Sequence, residues 1–350
     1  MGKYVLKRIG YMLVVLIILS ILMFLIYNLI PSNRAYTDAK ADMVTMKQQL
    51  RGKSDAEKEQ VFQERYLYYQ RLYGTDTKNL AVRYLRWIGA YPNYFGKYDG
   101  LLEGNFGYSY ELKDDVVNIV GEPMKNTIFI NIFNVILALG ITIPLGIFCA
   151  VRKGGKFDQT TQVVTIIGYS LPTFITCILF IWIFCSLLHW FPPSGMGTPG
   201  NNFTGWEWFK DRMYYMALPL ITMTFCSMGG MTRYVRASMI DALSMDCIRT
   251  ARAQGVKEKT VIYSHAWRNA LIPIVTLVVG WFLGIFGGSL IFENMFGING
   301  MGKLMIQSLR TADTDVIILL QLFYVALSLL GNLIIDIVYG LVDPRVRVNA

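Results

Sequence analysis

Six stretches of this chain are too long and too evenly apolar to be core helices of a water-soluble domain: Ile9–Ile30, Ile128–Ala150, Val163–Leu188, Met213–Met231, Leu271–Ile291 and Val316–Val342. A helix rises about 1.5 Å per residue, so roughly 20 residues cross about 30 Å of hydrocarbon. Each stretch is apolar around its whole circumference, whereas a helix on a soluble core carries a single stripe. Backbone groups in lipid must be satisfied within the segment, which a helix does. The expected fold is therefore all-α integral membrane, with six spanning helices. Composition agrees: 54% of the 350 residues are apolar and only 16% charged. Pro219, Gly229 and Gly230 are expected to kink or loosen the fourth helix, and Pro144 and Pro172 to kink the second and third. The first stretch follows Lys3, Lys7 and Arg8 as a secretion signal would. It is longer than a signal core, and Asn28, Pro31, Ser32, Asn33 and Arg34 follow without a small-residue cleavage site, so it is expected to remain as an anchor.

Charge sets the orientation. With the N-terminus inside, the cytoplasmic pieces carry Lys3, Lys7 and Arg8; Arg152, Lys153 and Lys156; Arg233, Arg236, Arg249, Arg252, Lys257, Lys259 and Arg268; and Arg345 and Arg347. The two short outer loops carry only Lys210, Arg212, Lys303 and Arg310. That asymmetry predicts both termini in the cytoplasm of a cell in whose plasma or inner membrane the chain resides. The net charge of +9 is then a property of the inner face and of anionic lipid contact, and no nucleic-acid partner is expected. Three regions are expected: an N-terminal helix over 1–30, an extracytoplasmic insertion over 31–127, and a five-helix core over 128–350 with a cytoplasmic loop at 233–271.

The insertion divides in two. Met43, Met46 and Leu50, then Val61, Phe62, Tyr66 and Tyr69, recur at helical spacing and predict two amphipathic helices around a break at Arg51–Ser54. From Tyr84 to Tyr110 the chain turns aromatic. Those rings either sit at the headgroup level or line an entrance or docking surface. The cysteines, four near apolar segments and Cys247 in the inner loop, give neither a disulfide framework nor a metal cluster.

The inner loop holds the most informative pattern. Tyr234 to Gln254 contains no Pro or Gly and places Val235, Met239 and Leu243 on one face, which predicts that the fourth helix runs on and stops at Gly255 in a positive-φ conformation. A second helical stretch is expected from Lys257 to Ala270, with Ile262, Ala266 and Ala270 on one face. Small residues Thr250, Ala251 and Ala253 between Arg249 and Arg252 suit a helix end that docks in a partner's groove, with arginine giving direction through carboxylate pairing.

The chain carries EGNFGYS at Glu103–Ser109, GYSLPTF at Gly168–Phe174, PPSGM at Pro192–Met196, RTARAQG at Arg249–Gly255, HAWRNALIPIVT ending at Thr276, ENMFGINGMGKL at Glu293–Leu304, and NLIIDIVYGLVDPRVR at Asn332–Arg347. In their joint order and spacing these motifs resemble one family, the membrane subunits of binding-protein-dependent ABC importers in the dipeptide/oligopeptide branch. The family's inner-loop signature begins Glu-Ala-Ala with Gly six residues after the Glu. By position Arg249 stands for the Glu, Thr250 and Ala251 for the alanines, and Gly255 for the Gly, with Gln254 in place of the lysine common in the peptide branch. The resemblance implies that Arg249, Thr250, Ala251, Arg252, Ala253 and Gly255 couple to ATPase subunits. It also implies a second homologous permease subunit, two ABC ATPases that use ATP and Mg, an extracytoplasmic peptide-binding protein and a peptide substrate, with no cofactor on this chain. No G-x-x-x-x-G-K-[ST] phosphate loop is present, so ATP hydrolysis belongs to partners.

Glu293, Phe296, Gly297, Gly300, Met301 and Gly302 are expected to form a re-entrant outer loop that gates the pathway and touches the binding protein. Three glycines within six residues permit close backbone approach there. Asn131, Asn134, Thr142, Ser170, Thr173, Thr176, Thr276 and Ser328 can line a path or bond to helix backbones. Asp336, near Asn332 in the last stretch, is expected to pair with Arg345, Arg347 or a partner subunit. An intramembrane enzyme would need a metal pair, a Ser–His pair or facing acids, and His189 and His265 form no such set. An ion-driven secondary transporter or channel would need more intramembrane charge.

Overall fold

The computed structural model describes residues 2–29, 34–48, 50–109 and 111–342. The chain divides into two units, one of 1–9, 120–307 and 326–350, the other of 10–119 and 308–325.

The second unit holds most of helix α1 (Gly2–Leu29), then α2 (Arg34–Thr45), α3 (Asp55–Leu72) and α4 (Leu80–Ile88). The expected pair of amphipathic helices is present as α2 and α3. Ser54 starts α3 with a capping box: its side chain accepts from the Glu57 N–H, and the Glu57 carboxylate accepts from the Ser54 N–H at 2.7 Å. The two helices pack through Ala39, fully buried, and through Tyr36 set edge-on to Phe62. On α1, Phe24 is buried with Tyr84 and Trp87 against it, and Ser20 hydrogen-bonds the Tyr84 hydroxyl at 2.7 Å. Part of the aromatic stretch is thus core, while Tyr91, Tyr94, Phe95 and Tyr98 are exposed. A two-residue hairpin pairs Tyr108–Ser109 with Asp114–Asp115, and the buried Ser109 hydroxyl donates to Asp313.

The first unit contains α5 (Val116–Val151, from Val120 on), α6 (Lys156–Ser170), α7 (Thr173–Ile181), α8 (Gly205–Leu243), α9 (Asp246–Ala253), α10 (Glu258–Thr260), α11 (Trp267–Leu283), α12 (Leu290–Met295), most of α13 (Met301–Thr311) and the C-terminal half of α14 (Thr314–Val342). Among the described residues, Leu6–Asn28, Val116–Val151 and Thr314–Ile337 are single helices long and apolar enough to cross a membrane; counting bent pairs as spans brings the total to five. The third apolar stretch is one of these pairs. It breaks between Ser170 and Thr173 by 104°, where Leu171 is extended ahead of Pro172, whose ring disfavours helix in the residue before it. The fifth also differs from expectation: α11 ends at Leu283, a 3-10 turn follows over Gly284–Phe286, and Gly287 is extended, so no continuous helix reaches Ile291.

The fourth stretch lies inside the 39-residue α8, which runs without a break through Pro219, Gly229 and Gly230. Its hydropathy is diluted by Tyr214 and Tyr215, yet Met216, Leu218, Leu220 and Met223 are buried against protein rather than lipid. Gly229 serves packing here: a Cβ would come within 2.5 Å of the Thr165 carbonyl and 2.6 Å of Tyr169 on α6. Two cores form along α8. One gathers Met216, Leu218, Leu220 and Met223 with Ile130, Cys177, Phe296 and Ile298. The other gathers Met231, Val235, Met239 and Ala242 with Ile147, Ile248, Val261, Ala266 and Ile274.

Candidate functional site

In the 233–271 loop, α8 does not continue to Gly255. The helix stops at Leu243, Met245 is extended, and α9 starts afresh at Asp246, whose carboxylate stands in its first turn where the helix dipole favours negative charge. The Ser244 N–H and hydroxyl both bond back to the last turn of α8, ending it there. Gly255, at φ +79°, closes α9 as expected. Its N–H bonds the Arg252 carbonyl at 3.0 Å and the Val256 N–H bonds the Ala251 carbonyl at 3.2 Å, a Schellman closure that turns Val256 onto the inner core.

This short helix has two faces. Ile248 and Ala251 are buried in the core, so Ala251, expected at the exposed docking face, points inward instead. Alternate positions on so short a helix cannot all face out once Ile248 fixes the buried side. Arg249, Thr250, Arg252 and Ala253 are exposed. Arg252 is already held by Glu258, with Nη2 to Oε1 at 2.7 Å and Nε to Oε2 at 3.1 Å, whereas Arg249 has only a 3.4 Å contact with Asp246. The segment after α9 buries Ile262, Ala266 and Ala270, the face expected from spacing, and Val261 besides, with a π-helical turn over Val261–Ala266.

The loop from Glu293 to Lys303 is built on one carboxylate. Glu293 is 2% exposed, and four donors converge on it: the Thr127 hydroxyl at 2.8 Å and the Ser289 N–H at 3.2 Å on Oε1, and the N–H groups of Gly302 at 2.6 Å and Lys303 at 3.1 Å on Oε2. The Thr127 oxygen in turn accepts the Met301 N–H at 2.9 Å. The carboxyl stands outside the spanning stretches. Burial raises its pKa above the ordinary carboxylate value, against the opposing pull of Thr127, Lys303, Gly302 and Ser289. The glycines make the closure possible: a Cβ on Gly300 would lie 2.5 Å from the Glu293 carboxyl and 2.6 Å from the Thr127 hydroxyl, and one on Gly302 would lie 2.7 Å from the Ser289 carbonyl carbon. Gly297 has φ +64°. Phe296 and Met301 are buried beside the equally buried Ile298.

A second motif meets this loop. The Gly195 N–H of PPSGM bonds the Phe296 carbonyl at 2.9 Å, and Asn126 joins both, donating to the Asn299 carbonyl at 2.8 Å and accepting from Arg212, which also reaches the Met196 carbonyl. Sequence reasoning did not single out Thr127, Asn126 or Ser289. Nothing local marks them, since Thr127 and Glu293 are 166 positions apart.

The remaining polar residues are mostly structural. Asn131 donates to the carbonyls of Ile285 and Gly287 at 3.0 Å each, satisfying groups released where α11 ends. Thr142, Thr222 and Ser227 bond their own helices. Asp336 pairs with Arg8 at 3.1 Å, a cation from the opposite end of the chain. The expected partners Arg345 and Arg347 lie outside the described residues. Asn332 is exposed. No cluster of potential metal ligands occurs among the described residues.

Residues 142–348 match the model of the family described as binding-protein-dependent transport system inner membrane component. The chain belongs to that family. It is a membrane-spanning transport component, not an enzyme. Similar proteins include the oligopeptide transport system permease protein AppB of Bacillus subtilis, 35% identical over 76% of this chain and 80% of its own length. A Brucella suis chain with the provisional name of peptide permease protein is 31% identical over the whole of both, so the insertion is part of the match. The oligopeptide transport system permease protein OppB of Escherichia coli is 29% identical over 73% of this chain and 79% of its own.

Proposed function

We propose that this chain is the permease subunit of an ATP-driven importer of peptides, forming half of the translocation pathway beside a second, homologous permease. An extracytoplasmic binding protein delivers the peptide, and two ABC ATPases that bind ATP and Mg close on each other to switch the cavity outward; the chain itself carries no cofactor. The topology is six spans with both termini cytoplasmic, arranged as an N-terminal helix (1–30), an extracytoplasmic insertion (31–127) and a core (128–350). Counting the bent pairs and α8 as spans supports it, as does the basic bias of the inner loops. The peptide substrate is supported by the names of the relatives.

The observation that carries the reading is the construction of α9, a cytoplasmic helix with a buried Ile248–Ala251 side and an exposed side of Arg249, Thr250, Arg252 and Ala253. A helix rooted in the core of the spanning helices passes a push on its exposed side directly into α8 and α11. The Glu293 loop is the corresponding element outside, gating the mouth and meeting the binding protein. Purification of the complex from its native membrane, with identification of co-eluting chains and of ligand released on denaturation, tests the reading. ATPase subunits and peptide are expected. A preparation without ATPases sinks the coupling role, and a non-peptide ligand sinks the substrate assignment.

A further inference from the structure

Asp158 is a carboxylate with no exposed surface, at the start of α6 beside the basic turn of Arg152, Lys153 and Lys156. Arg236 of α8 grips it in parallel, Nε to Oδ1 at 2.6 Å and Nη2 to Oδ2 at 2.7 Å. The Gly154 N–H at 2.9 Å and the Gln162 side-chain amide at 3.1 Å fill its remaining acceptor positions. The carboxylate is buried while the Arg236 side chain keeps 20% of its surface exposed, and burying a carboxylate costs desolvation that an apolar side chain of similar size would avoid. What a two-pronged guanidinium contact supplies is a fixed direction and register.

The register being fixed lies close to α9. Arg236 sits about two turns before α8 ends at Leu243, and Val235 and Met239, on either side of it, are fully buried in the core that holds Ile248 of α9. Away from the ion pair, α6 and α8 touch backbone to backbone. A Cβ on Gly168 would come within 3.1 Å of the Phe225 carbonyl, and one on Gly229 within 2.5 Å of the Thr165 carbonyl. The two helices are therefore close-packed along their length and clamped at the end near α9, whereas α6 meets α7 at the 104° break.

We infer that Asp158 and Arg236 are a positioning pair for coupling: they make α6 move as one body with α8, so displacement of α9 is delivered to the hinge at Leu171–Pro172. This rests on the importer reading above. The pair touches neither substrate nor nucleotide and acts through the helices it joins. Without it, α8 moves while α6 lags.

The test uses the complete complex, permeases with ATPases, reconstituted in liposomes with its binding protein and a tetra-alanine probe. Asp158→Asn keeps the shape but opposes an amide to the guanidinium. Expected is normal assembly and basal hydrolysis, with binding-protein stimulation and uptake per ATP falling about tenfold. Arg236→Lys keeps the charge but loses the two-pronged contact, and is expected to recover only part of the coupling. The exchanged pair, Asp158→Arg with Arg236→Asp, is expected to recover more coupling than either of its single substitutions. Unchanged stimulation in assembled Asp158→Asn complex overturns the inference. So does a loss of uptake matched only by loss of assembled complex, which marks a purely structural pair. If ATPases fail to accompany the unsubstituted chain, the importer reading falls and this inference with it, so the two failures are distinguishable.

Discussion

Alanine at position 300 places a methyl carbon where the Glu293 carboxyl already stands. The new atom would lie 2.5 Å from the carboxyl carbon and Oε2 and 2.6 Å from the Thr127 oxygen, against an ordinary carbon contact of about 3.5 Å or more. Neither group retreats freely, because each is held by hydrogen bonds from separate parts of the chain. Overpacking costs about 1–3 kcal/mol, and stranding one buried N–H, that of Gly302 or Lys303, costs about 1–3 kcal/mol more. A midpoint of about 4 kcal/mol raises the equilibrium for opening the loop about a thousandfold; partial relaxation leaves roughly a hundredfold. Ile298, fully buried, reports the opening once replaced by cysteine. Of the native cysteines, Cys247 is exposed and Cys226 half-buried, so replacing those two gives a quiet background. Impermeant maleimide added from outside should label Ile298→Cys about a hundred times faster when Gly300→Ala is also present, with labelling slow enough to follow the opening equilibrium. An acceleration below about threefold would refute the idea that the Glu293 closure holds the loop.

Single cysteines at Ser54 and Lys257 should label from opposite sides of the membrane, the former from outside; labelling of both from one side defeats the six-span topology. At Gly255 the backbone, not the surroundings, opposes a side chain: φ is +79°, and nothing lies within 4 Å of the place a Cβ would occupy. Gly255→Val should therefore cost α9 about 1–2 kcal/mol and reduce ATPase co-purification, while Gly255→Asn, which tolerates this conformation, should retain it. Equal recovery of ATPases with both variants would make Gly255 an ordinary loop residue. Because the closed loop raises the Glu293 pKa, closure binds a proton: it is strongest below the ordinary carboxyl range and weakens as pH rises through the raised value. Labelling of Ile298→Cys, divided by that of an exposed reference cysteine at the same pH to remove the rise in thiolate, should thus quicken as pH rises above the ordinary carboxyl range, and Glu293→Gln should flatten that ratio; a ratio running the other way rejects the assignment.

The first, second and last apolar stretches were legible as single helices long enough to cross a membrane, and the third and fifth as bent pairs, because lipid contact constrains composition over whole windows; the pair α2–α3 was legible because its apolar spacing and Ser54 are local signals. Proline was a poorer guide. Pro172 breaks the chain by 104°, while Pro219 lies buried within an unbroken helix, so neighbouring packing decides which outcome prevails. The break at Ser244–Met245 lacks glycine or proline to announce it. Long-range partners were the least accessible: the cations nearest Asp336 in sequence are Arg345 and Arg347, yet Arg8 reaches it, and nothing around Glu293 points to Thr127. Glycine spacing drew attention to the loop from Glu293 to Gly302, but not to the one carboxylate that organises it.

The division of α9 between a rooted side and a free side separates two kinds of variation. Changes at Ile248, Ala251 or Val256 disturb the core and with it the placement of several spanning helices. Changes at Arg249, Thr250 or Ala253 touch solvent, and leave the fold alone. On the coupling role proposed for α9, choice of ATPase partner can be rewritten on a few outward positions of this helix, and related transporters in one membrane can diverge in allegiance without any of them having to learn a new way to fold.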